Sequence, residues 1–128
     1  MKIEVSNGEV IDKITILEIK LEKIKTHEKL QNIRKEYNML TFMLPELGID
    51  KSHPLYIKLK EINLQLWDVE DQLRIKEKNQ EFGQDFIEMA RSVYFYNDQR
   101  AEIKREINKL SSSLLYEEKE YVDYKNNT

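Results

Sequence analysis

The feature that most constrains this chain is the spacing of its apolar residues, which recur every three or four positions along three long stretches. Such spacing places the apolar side chains on one stripe of an α-helix. Turn-forming residues interrupt the stretches at Pro45 and Gly48, and again at Gly83. The sequence therefore predicts an all-α protein with three long helices in an antiparallel coiled-coil-like bundle, forming a single domain over residues 1–128.

The predicted helices span residues 7–44, 53–79 and 84–122. The first begins at a capping-box sequence, in which the Ser6 hydroxyl would accept from the Glu9 backbone N–H and the Glu9 side chain would reach back to Ser6. Asp50 or Ser52 would cap the second helix.

Two terminal segments are expected to lie outside the helices, a short extended N-terminal segment at residues 1–6 and a frayed tail at residues 125–128. Within the helices, the apolar stripes predict which side chains are buried. The expected core residues are Leu21, Ile33, Leu40, Leu59, Leu66, Val69, Val93, Ile103 and Ile107.

Short connections make consecutive helices antiparallel neighbours, so the first and third helices are expected to run parallel. In that register, polar residues from all three helices lie at one level of the bundle. They are His27, Glu28, Glu70, Asp71, Arg91 and Ser92. Such a level could bind a polar ligand or perform acid–base chemistry, or it could be an internally satisfied layer that fixes the register.

The charges argue against two classes of partner. The chain has 21 Lys and Arg residues and 24 Asp and Glu residues, for a formal net charge of −3, and the signs are mixed along it. Nucleic-acid backbones and anionic membrane surfaces bind clustered cationic residues. We therefore expect neither nucleic acid nor a membrane as a partner.

Residue types and motifs also argue against a metal site or a cofactor. The sequence has no cysteine, and His27 and His53 belong to neither an H-x-x-x-H nor an E-x-x-H arrangement. It has no glycine-rich phosphate loop and no G-x-S-x-G nucleophile motif. An apolar leader and an apolar run of about 20 residues are missing as well, which predicts a cytoplasmic protein.

Candidate binding residues lie along one side of the third predicted helix. They are Arg91, Tyr94, Asn97, Asp98, Arg100 and Arg105. The arginines offer planar donors for a carboxylate or a phosphate. Alternatively, the residues form a salt-bridge ladder in which Arg100 pairs with a carboxylate of the first or second helix, with Glu36 as the first candidate.

Aromatic and acidic residues provide two further candidates. Trp67 could form an aromatic wall with Tyr94 and Tyr96 beside the arginines, or it could pack at the edge of the core. The acidic run at residues 117–120, with its neighbouring tyrosines, could recruit a partner or be a solvated helix end.

Three stretches of the chain look like parts of a known family: GEVIDKITILEIKLEKI, LWDVEDQLR and ARSVYFYNDQRAEIKREIN. Together they resemble an uncharacterised family of short all-helical bacterial or phage proteins, a domain of unknown function. The resemblance implies that the family's polar and aromatic positions are Glu9, Asp12, Lys13, Trp67, Asp68, Asp71, Arg91, Asn97, Asp98, Arg100 and Arg105. The first three would form an N-terminal polar cluster. Relatives beside surface-polysaccharide and glycosyltransferase genes would imply a link to sugar metabolism.

The start of the first helix, IDKITIL at residues 11–17, is also similar to that of the small helical chorismate mutases. That family directs an arginine of its first helix at a dicarboxylate substrate. In this chain Arg34 is the first arginine, and Lys13 and Lys20 occupy the opening turns instead. The likeness therefore extends to the helix and not to the site.

These observations favour a non-enzymatic, oligomeric helical interaction or scaffold protein. The alternative is a small-molecule-binding protein or an enzyme that uses the arginine and carboxylate residues on a small anionic ligand. That alternative expects Asp71, Arg91 and Arg100 in one closed pocket.

A homodimer is expected because the predicted register leaves apolar residues uncovered at both ends of the bundle. These residues are Leu114, Leu115, Tyr121 and Val122 on the third helix, and Ile11, Ile14, Ile16 and Ile19 on the first. In the competing account, residues 1–6 and 45–53 of the same chain fold over those ends.

Overall fold

The computed structural model describes residues 1–113 and 117–125, and within them helices are the only regular secondary structure. The helices are α1 (Asn7–Lys23), α2 (His27–Thr41), α3 (Leu44–Leu47), α4 (Pro54–Lys78) and α5 (Gln84–Leu110). The all-α prediction is confirmed. The start of α1 is also as predicted, because the Ser6 hydroxyl accepts from the Glu9 backbone N–H at 3.2 Å. Residues 1–6 precede α1, and Ile3 is exposed there.

The prediction of one helix over residues 7–44 is wrong, because the chain turns back on itself at residues 24–26. Ile24 and Thr26 both have extended backbone angles, which suit their β-branched side chains. The apolar spacing of the sequence shifts by three residues at His27, immediately after this turn. Lys13 of α1 then forms an ion pair with Glu36 of α2 at 3.1 Å, so the two helices lie side by side as a hairpin.

Helix α1 is the centre of the fold, since it contacts α2, α4 and α5. Three of its buried residues belong to a core cluster that draws on four other parts of the chain. The cluster comprises Val10, Ile11, Ile14, Leu44, Ile49, Tyr56, Leu59, Ile103 and Ile107. Among the predicted core residues, four are buried: Leu59, Leu66, Ile103 and Ile107. The others are half-buried: Leu21, Ile33, Leu40, Val69 and Val93.

The predicted parallel arrangement of the first and last helices is wrong, because α1 runs antiparallel to α5. Going forward along α1, its contacts move backward along α5, from Gly8 with Asn108, through Glu9 with Lys104, to Asp12 with Arg100. The reversal at residues 24–26 is the cause, because it adds one change of chain direction between α1 and α5.

The six residues of the predicted polar level make no hydrogen bond or ion pair with one another in the described part of the chain. His27 contacts Gln31 of its own helix, and Asp71 pairs with Arg74 of its own helix.

The second predicted helix, 53–79, differs from α4 by one residue at each end. Its cap is His53, whose Nδ1 accepts from the Leu55 backbone N–H at 3.1 Å, and not Asp50 or Ser52 as predicted. Asp50 accepts from the Ser52 backbone N–H instead. Before this turn, α3 ends at a left-handed glycine, and Ile49 then enters the core at 1 % exposure.

The third predicted helix, 84–122, begins as expected but ends at Leu110. The run of serines at residues 111–113 ends it: the Ser111 hydroxyl donates to the Ile107 carbonyl at 2.6 Å, and Ser112 adopts a positive φ of 54°. Serine hydroxyls compete in this way with helical hydrogen bonds. Residues 117–125, which we name the C-terminal segment, lie non-helical along α5.

The apolar overhang expected on the first helix is not found in the described residues, whereas Tyr121 and Val122 at the other end are 73 % and 86 % exposed and lie outside a helix. Ile11, Ile14 and Ile19 are each at most 1 % exposed within the single chain, and Ile49 of the 45–53 segment packs with the first two in the core cluster. The part of the intramolecular account that concerns residues 45–53 therefore holds at that end, whereas Ile3 and Val5 of residues 1–6 are exposed. Leu114 and Leu115 lie outside the described residues, as do residues 126–128 of the predicted tail.

Gly8 marks the closest approach of α1 to α5. A methyl group on Gly8 would lie 2.5 Å from the backbone oxygen of Lys104, and a backbone atom cannot move aside as a flexible side chain can. We expect Gly8→Ala to destabilise the protein by about 1–3 kcal/mol, although alanine is the better helix former. Chemical denaturation measures the change.

Gly83→Ala is the matched control, because a methyl group there meets no atom within 4 Å. It should change stability by about 0.5 kcal/mol or less, as at most surface positions. Equal stability of the two variants would show that the helices separate easily at Gly8.

Candidate functional site

Asp12 lies at the centre of a polar cluster between α1, α4 and α5. Its side chain is 2 % exposed. Oδ1 accepts from Asn63 Nδ2 at 2.8 Å and from Arg100 Nε at 2.9 Å, and Oδ2 accepts from a terminal nitrogen of Arg100. The two-pronged contact with Asp12 raises the pKa of Arg100. Both atoms of the carboxylate are thus satisfied by side chains of other helices.

Lys104, one turn beyond Arg100, connects this cluster to the C-terminal segment. Its Nζ lies 2.6 Å from Glu9 Oε2, 2.8 Å from Glu117 Oε2 and 3.9 Å from Asp12 Oδ2. Burial opposes the charge, but the hydrogen bonds to Glu117 and Glu9 outweigh it, so the pKa of Lys104 is raised. The hydrogen bond from Lys104 in turn lowers the pKa of Glu117. The cluster is therefore an ion-pair network in which two cationic side chains, Arg100 and Lys104, are shared among three carboxylates.

Side chains from the last turn of α5 and from the serines that follow it also cap α1. The Gly8 backbone N–H donates to Asn108 Oδ1 at 2.7 Å, and the Asn7 backbone N–H donates to Ser113 Oγ at 3.0 Å. The first N–H groups of a helix have no acceptor within that helix, so these contacts satisfy them. Asn108 and Ser113 thus fix the position of the start of α1 along α5, and with it the direction of α1.

A groove of about 1370 Å³ runs between the outer face of α5 and the C-terminal segment. Tyr124 closes one end: its hydroxyl donates to Asp98 Oδ2 at 2.5 Å, and its ring lies 5.4 Å from that of Phe95. The hydrogen bond to Asp98 raises the pKa of Tyr124 to about 12. Arg105 meets Glu118 at 2.6 Å nearer the other end. The acidic segment thus lies over the cationic side of α5.

The structure divides the predicted site residues into groups. Five of them line the groove together: Arg91, Tyr94, Asn97, Asp98 and Arg105. Glu9, Asp12 and Arg100 meet in the buried cluster instead. Two others lie apart from both, Asp71 in an exposed pair on α4 and Lys13 in its pair with Glu36.

The predicted partner of Arg100 is partly confirmed. It is a carboxylate of the first helix, but it is Asp12 and not Glu36. The expected aromatic wall of Trp67 with Tyr94 and Tyr96 is not found among the ring contacts of the described residues. Trp67 is half-buried on α4, and the ring of Tyr94 lies 5.9 Å from that of Tyr124.

A model of a family of unknown function, DUF6165, matches residues 1–126. The chain belongs to this family. Comparisons with curated proteins and with solved structures give no match. The expectation of an uncharacterised family is confirmed, and the occurrence of its members in bacteria or phages stays a prediction.

Several members of the cluster in this DUF6165 chain were missed by sequence reasoning. They are Thr15, Asn63, Lys104, Asn108 and Glu117. The signal was present, since Asn63 lies between Leu59 and Leu66 at steps of four and three, on the side of α4 that carries these apolar residues. Arg100, Lys104 and Asn108 likewise recur every four residues on one side of a helix.

The described residues contain no group of three or more His, Cys, Asp or Glu side chains placed to hold a metal ion. In the same part of the chain, no helix has the length and apolar character to span a membrane.

The ion pair between Arg100 and Asp12 should matter more to stability than any pair on the surface. We expect Arg100→Ala to destabilise the protein by about 3 kcal/mol, because it leaves a buried carboxylate without its main partner. Lys13→Ala is the control, since it breaks a pair whose side chains are 56 % and 45 % exposed. It should cost less than about 1 kcal/mol in the same denaturation measurement. A cost below about 0.5 kcal/mol for Arg100→Ala would mean that water replaces its contacts.

Proposed function

We propose that this DUF6165 protein is a non-enzymatic, cytoplasmic helical interaction or scaffold protein that works as a homodimer. The supporting observation is the outer half of the α4–α5 hairpin, which carries apolar residues in helical spacing without burying them. The last buried residue of α4 is Leu66 and the first of α5 is Ile103, so none of residues 67–102 is buried.

The two helices of this outer half extend well beyond α1. From residue 67 to the end of α4 the helix rises by roughly 18 Å, at about 1.5 Å per residue. The apolar residues of its inner stripe are only half-buried: Val69, Leu73, Phe86, Met89 and Val93. Two helices alone cover each other on one side only, and a third or fourth helix is needed to complete a core.

A second copy of the hairpin would supply those helices through a twofold contact, giving a coiled-coil-like bundle of four helices. The tip adds apolar surface of its own, since Ile75, Phe82 and Ile87 are each about half exposed. Phe82 also packs edge-on against Phe86 at 5.2 Å between ring centroids, which holds the tip together. Exposed aromatic and aliphatic residues in one region are typical of a protein interface.

The buried cluster supports a non-enzymatic role, because its charged groups are paired with each other. Asp12, Arg100 and Lys104 are held by ion pairs at 2.5–3.9 Å within the chain. Three cationic groups of α5, those of Arg100, Lys104 and Arg105, also have carboxylate partners, which supports a partner other than nucleic acid or a membrane.

Light scattering tests the dimer. We expect a mass of about 31 kDa, twice the 15.5 kDa of one chain, at micromolar concentration. The double variant Phe82→Glu with Ile87→Glu should shift the mass to that of one chain and leave the helical circular dichroism unchanged, because both side chains are about half exposed in the single chain.

The matched control is Phe42→Glu, at the end of α2, where the side chain is 86 % exposed. It should leave the mass of the dimer unchanged. A single-chain mass for the unaltered protein at hundreds of micromolar would refute the dimer. Loss of the dimer in both variants would place the contact elsewhere.

The second candidate function is binding of a small anionic molecule, including an intermediate of sugar metabolism, in the groove along α5. The observation in its favour is that Arg91, Asn97 and Arg105 line one open groove with the tyrosines of the C-terminal segment. Arginine donors of this kind suit carboxylates and phosphates. A ligand there would replace Glu118 as the partner of Arg105.

A thermal-shift screen with phosphorylated sugars, nucleotides and carboxylates tests this candidate. A ligand at about 100 times its dissociation constant should stabilise the protein by roughly 2.7 kcal/mol. Arg105→Ala should abolish the shift, and Lys109→Ala, on the same helix but outside the groove lining, should preserve it. A shift that survives Arg105→Ala would assign the ligand to another site.

A further inference from the structure

A second cavity, separate from the α5 groove, lies between α1 and the first half of α4. Its volume is about 350 Å³, and Glu18, Tyr56, Lys60 and Leu64 are among the residues that line it. This volume falls within the lower range of sites that hold small molecules. Neither the ion-pair cluster nor the proposed dimer contact involves these residues.

Two of the residues that line this cavity each have a buried polar atom without a hydrogen-bond partner among the described residues: the hydroxyl oxygen of Tyr56 and Oε1 of Glu18. Tyr56 is 2 % exposed, so its hydroxyl has little access to bulk solvent. The other carboxylate oxygen of Glu18 lies 3.5 Å from Lys60 Nζ. Buried polar groups in folded proteins are almost always hydrogen-bonded, so such a pair of atoms at one cavity calls for a ligand.

The chemistry of the two atoms defines what a ligand must offer. Oε1 of Glu18 can only accept a hydrogen bond, and the Tyr56 hydroxyl can donate one as well as accept. A ligand hydroxyl matches both, because it can donate to Glu18 while it accepts from Tyr56.

The charges around the cavity select against ions. Lys51 and Lys60 line it together with Glu18 and Glu61, so both an anion and a cation would meet like charge. Lys60 is already engaged by Glu18 at 3.5 Å and Glu22 at 3.1 Å, and Lys51 lies over the ring of Tyr37. Ile57, Leu64 and the Tyr56 ring offer apolar contact to the carbon atoms of a ligand.

From this arrangement we propose that the cavity between α1 and α4 binds a neutral polyhydroxylated molecule, a polyol or a monosaccharide, through Glu18 and Tyr56. The proposal is independent of the dimer and of the α5 groove. A failed dimer test leaves it unaffected, and its own failure leaves the dimer unaffected.

Nuclear magnetic resonance titration of the full chain with glucose and with mannitol is the test. We expect saturable shifts of the backbone signals of Glu18, Tyr56, Lys60 and Leu64 with at least one probe. Tyr56→Phe should weaken the binding at least tenfold, because it removes the hydroxyl and keeps the ring. Tyr121→Phe is the control: its side chain is 73 % exposed on the C-terminal segment, and it should not change the binding.

The melting temperature of each variant without ligand supplies a second readout. Tyr56→Phe should melt at the same temperature as the unaltered protein or higher, because the hydroxyl it removes has no partner in the described chain. Sugars also stabilise proteins by exclusion from their surface. If a sugar raises the melting temperature of Tyr56→Phe as much as that of the unaltered protein, the increase is therefore this general effect.

Several results would overturn the proposal. Absence of saturable shifts would mean that a bridging water, and not a sugar or polyol, forms the missing hydrogen bonds of Glu18 Oε1 and the Tyr56 hydroxyl. Stronger binding of inorganic phosphate or of ethylammonium at the same residues would assign the cavity to an ion. A clear fall in the melting temperature of Tyr56→Phe would show that the hydroxyl has a partner within the protein.

Discussion

At Gly8 the backbone of α1 comes so close to α5 that an added methyl group would lie 2.5 Å from the Lys104 carbonyl oxygen. That approach lets Asn108 reach the free N–H groups of α1, and it places Asp12 against Arg100 one turn further along. The core then forms around α1, because its other faces meet α2 and α4. The direction of α1, and with it the arrangement of the whole bundle, depends on this one helix contact.

How far the sequence predicts this fold depends on which interactions set the two ends of each helix. Helix α4 was predicted to within one residue, because Pro54 and the apolar spacing act locally. The turn at residues 24–26 was missed, since a shifted apolar stripe is compatible with a bent helix as well as with two helices. The end of α5 was missed because Ser111 ends it through its side chain. One unrecognised turn was enough to reverse the predicted direction of α1 relative to α5.

The candidate site shows the same division between local and distant information. A charge at Arg100 within an apolar stripe predicts a carboxylate partner, because an unpaired charge in that position is costly. Which carboxylate it meets depends on the direction of a helix 88 residues away in the chain. The groove residues Arg91, Tyr94, Asp98 and Arg105 were grouped correctly, because their spacing alone places them on one side of α5. The cavity at Tyr56 carries no such signal, since its two key atoms lie on separate helices.

The pairing of the first turn of α1 with the last turns of α5 also bears on how the chain folds. The α1–α2 and α4–α5 hairpins join residues close in sequence, so each can form quickly. The Gly8–Asn108 hydrogen bond joins residues 100 positions apart. Closing so long a loop carries an entropic cost that local contacts do not. During synthesis α1 leaves the ribosome before α5 does. The apolar stripe of α1 therefore remains incompletely covered until α5 has been made.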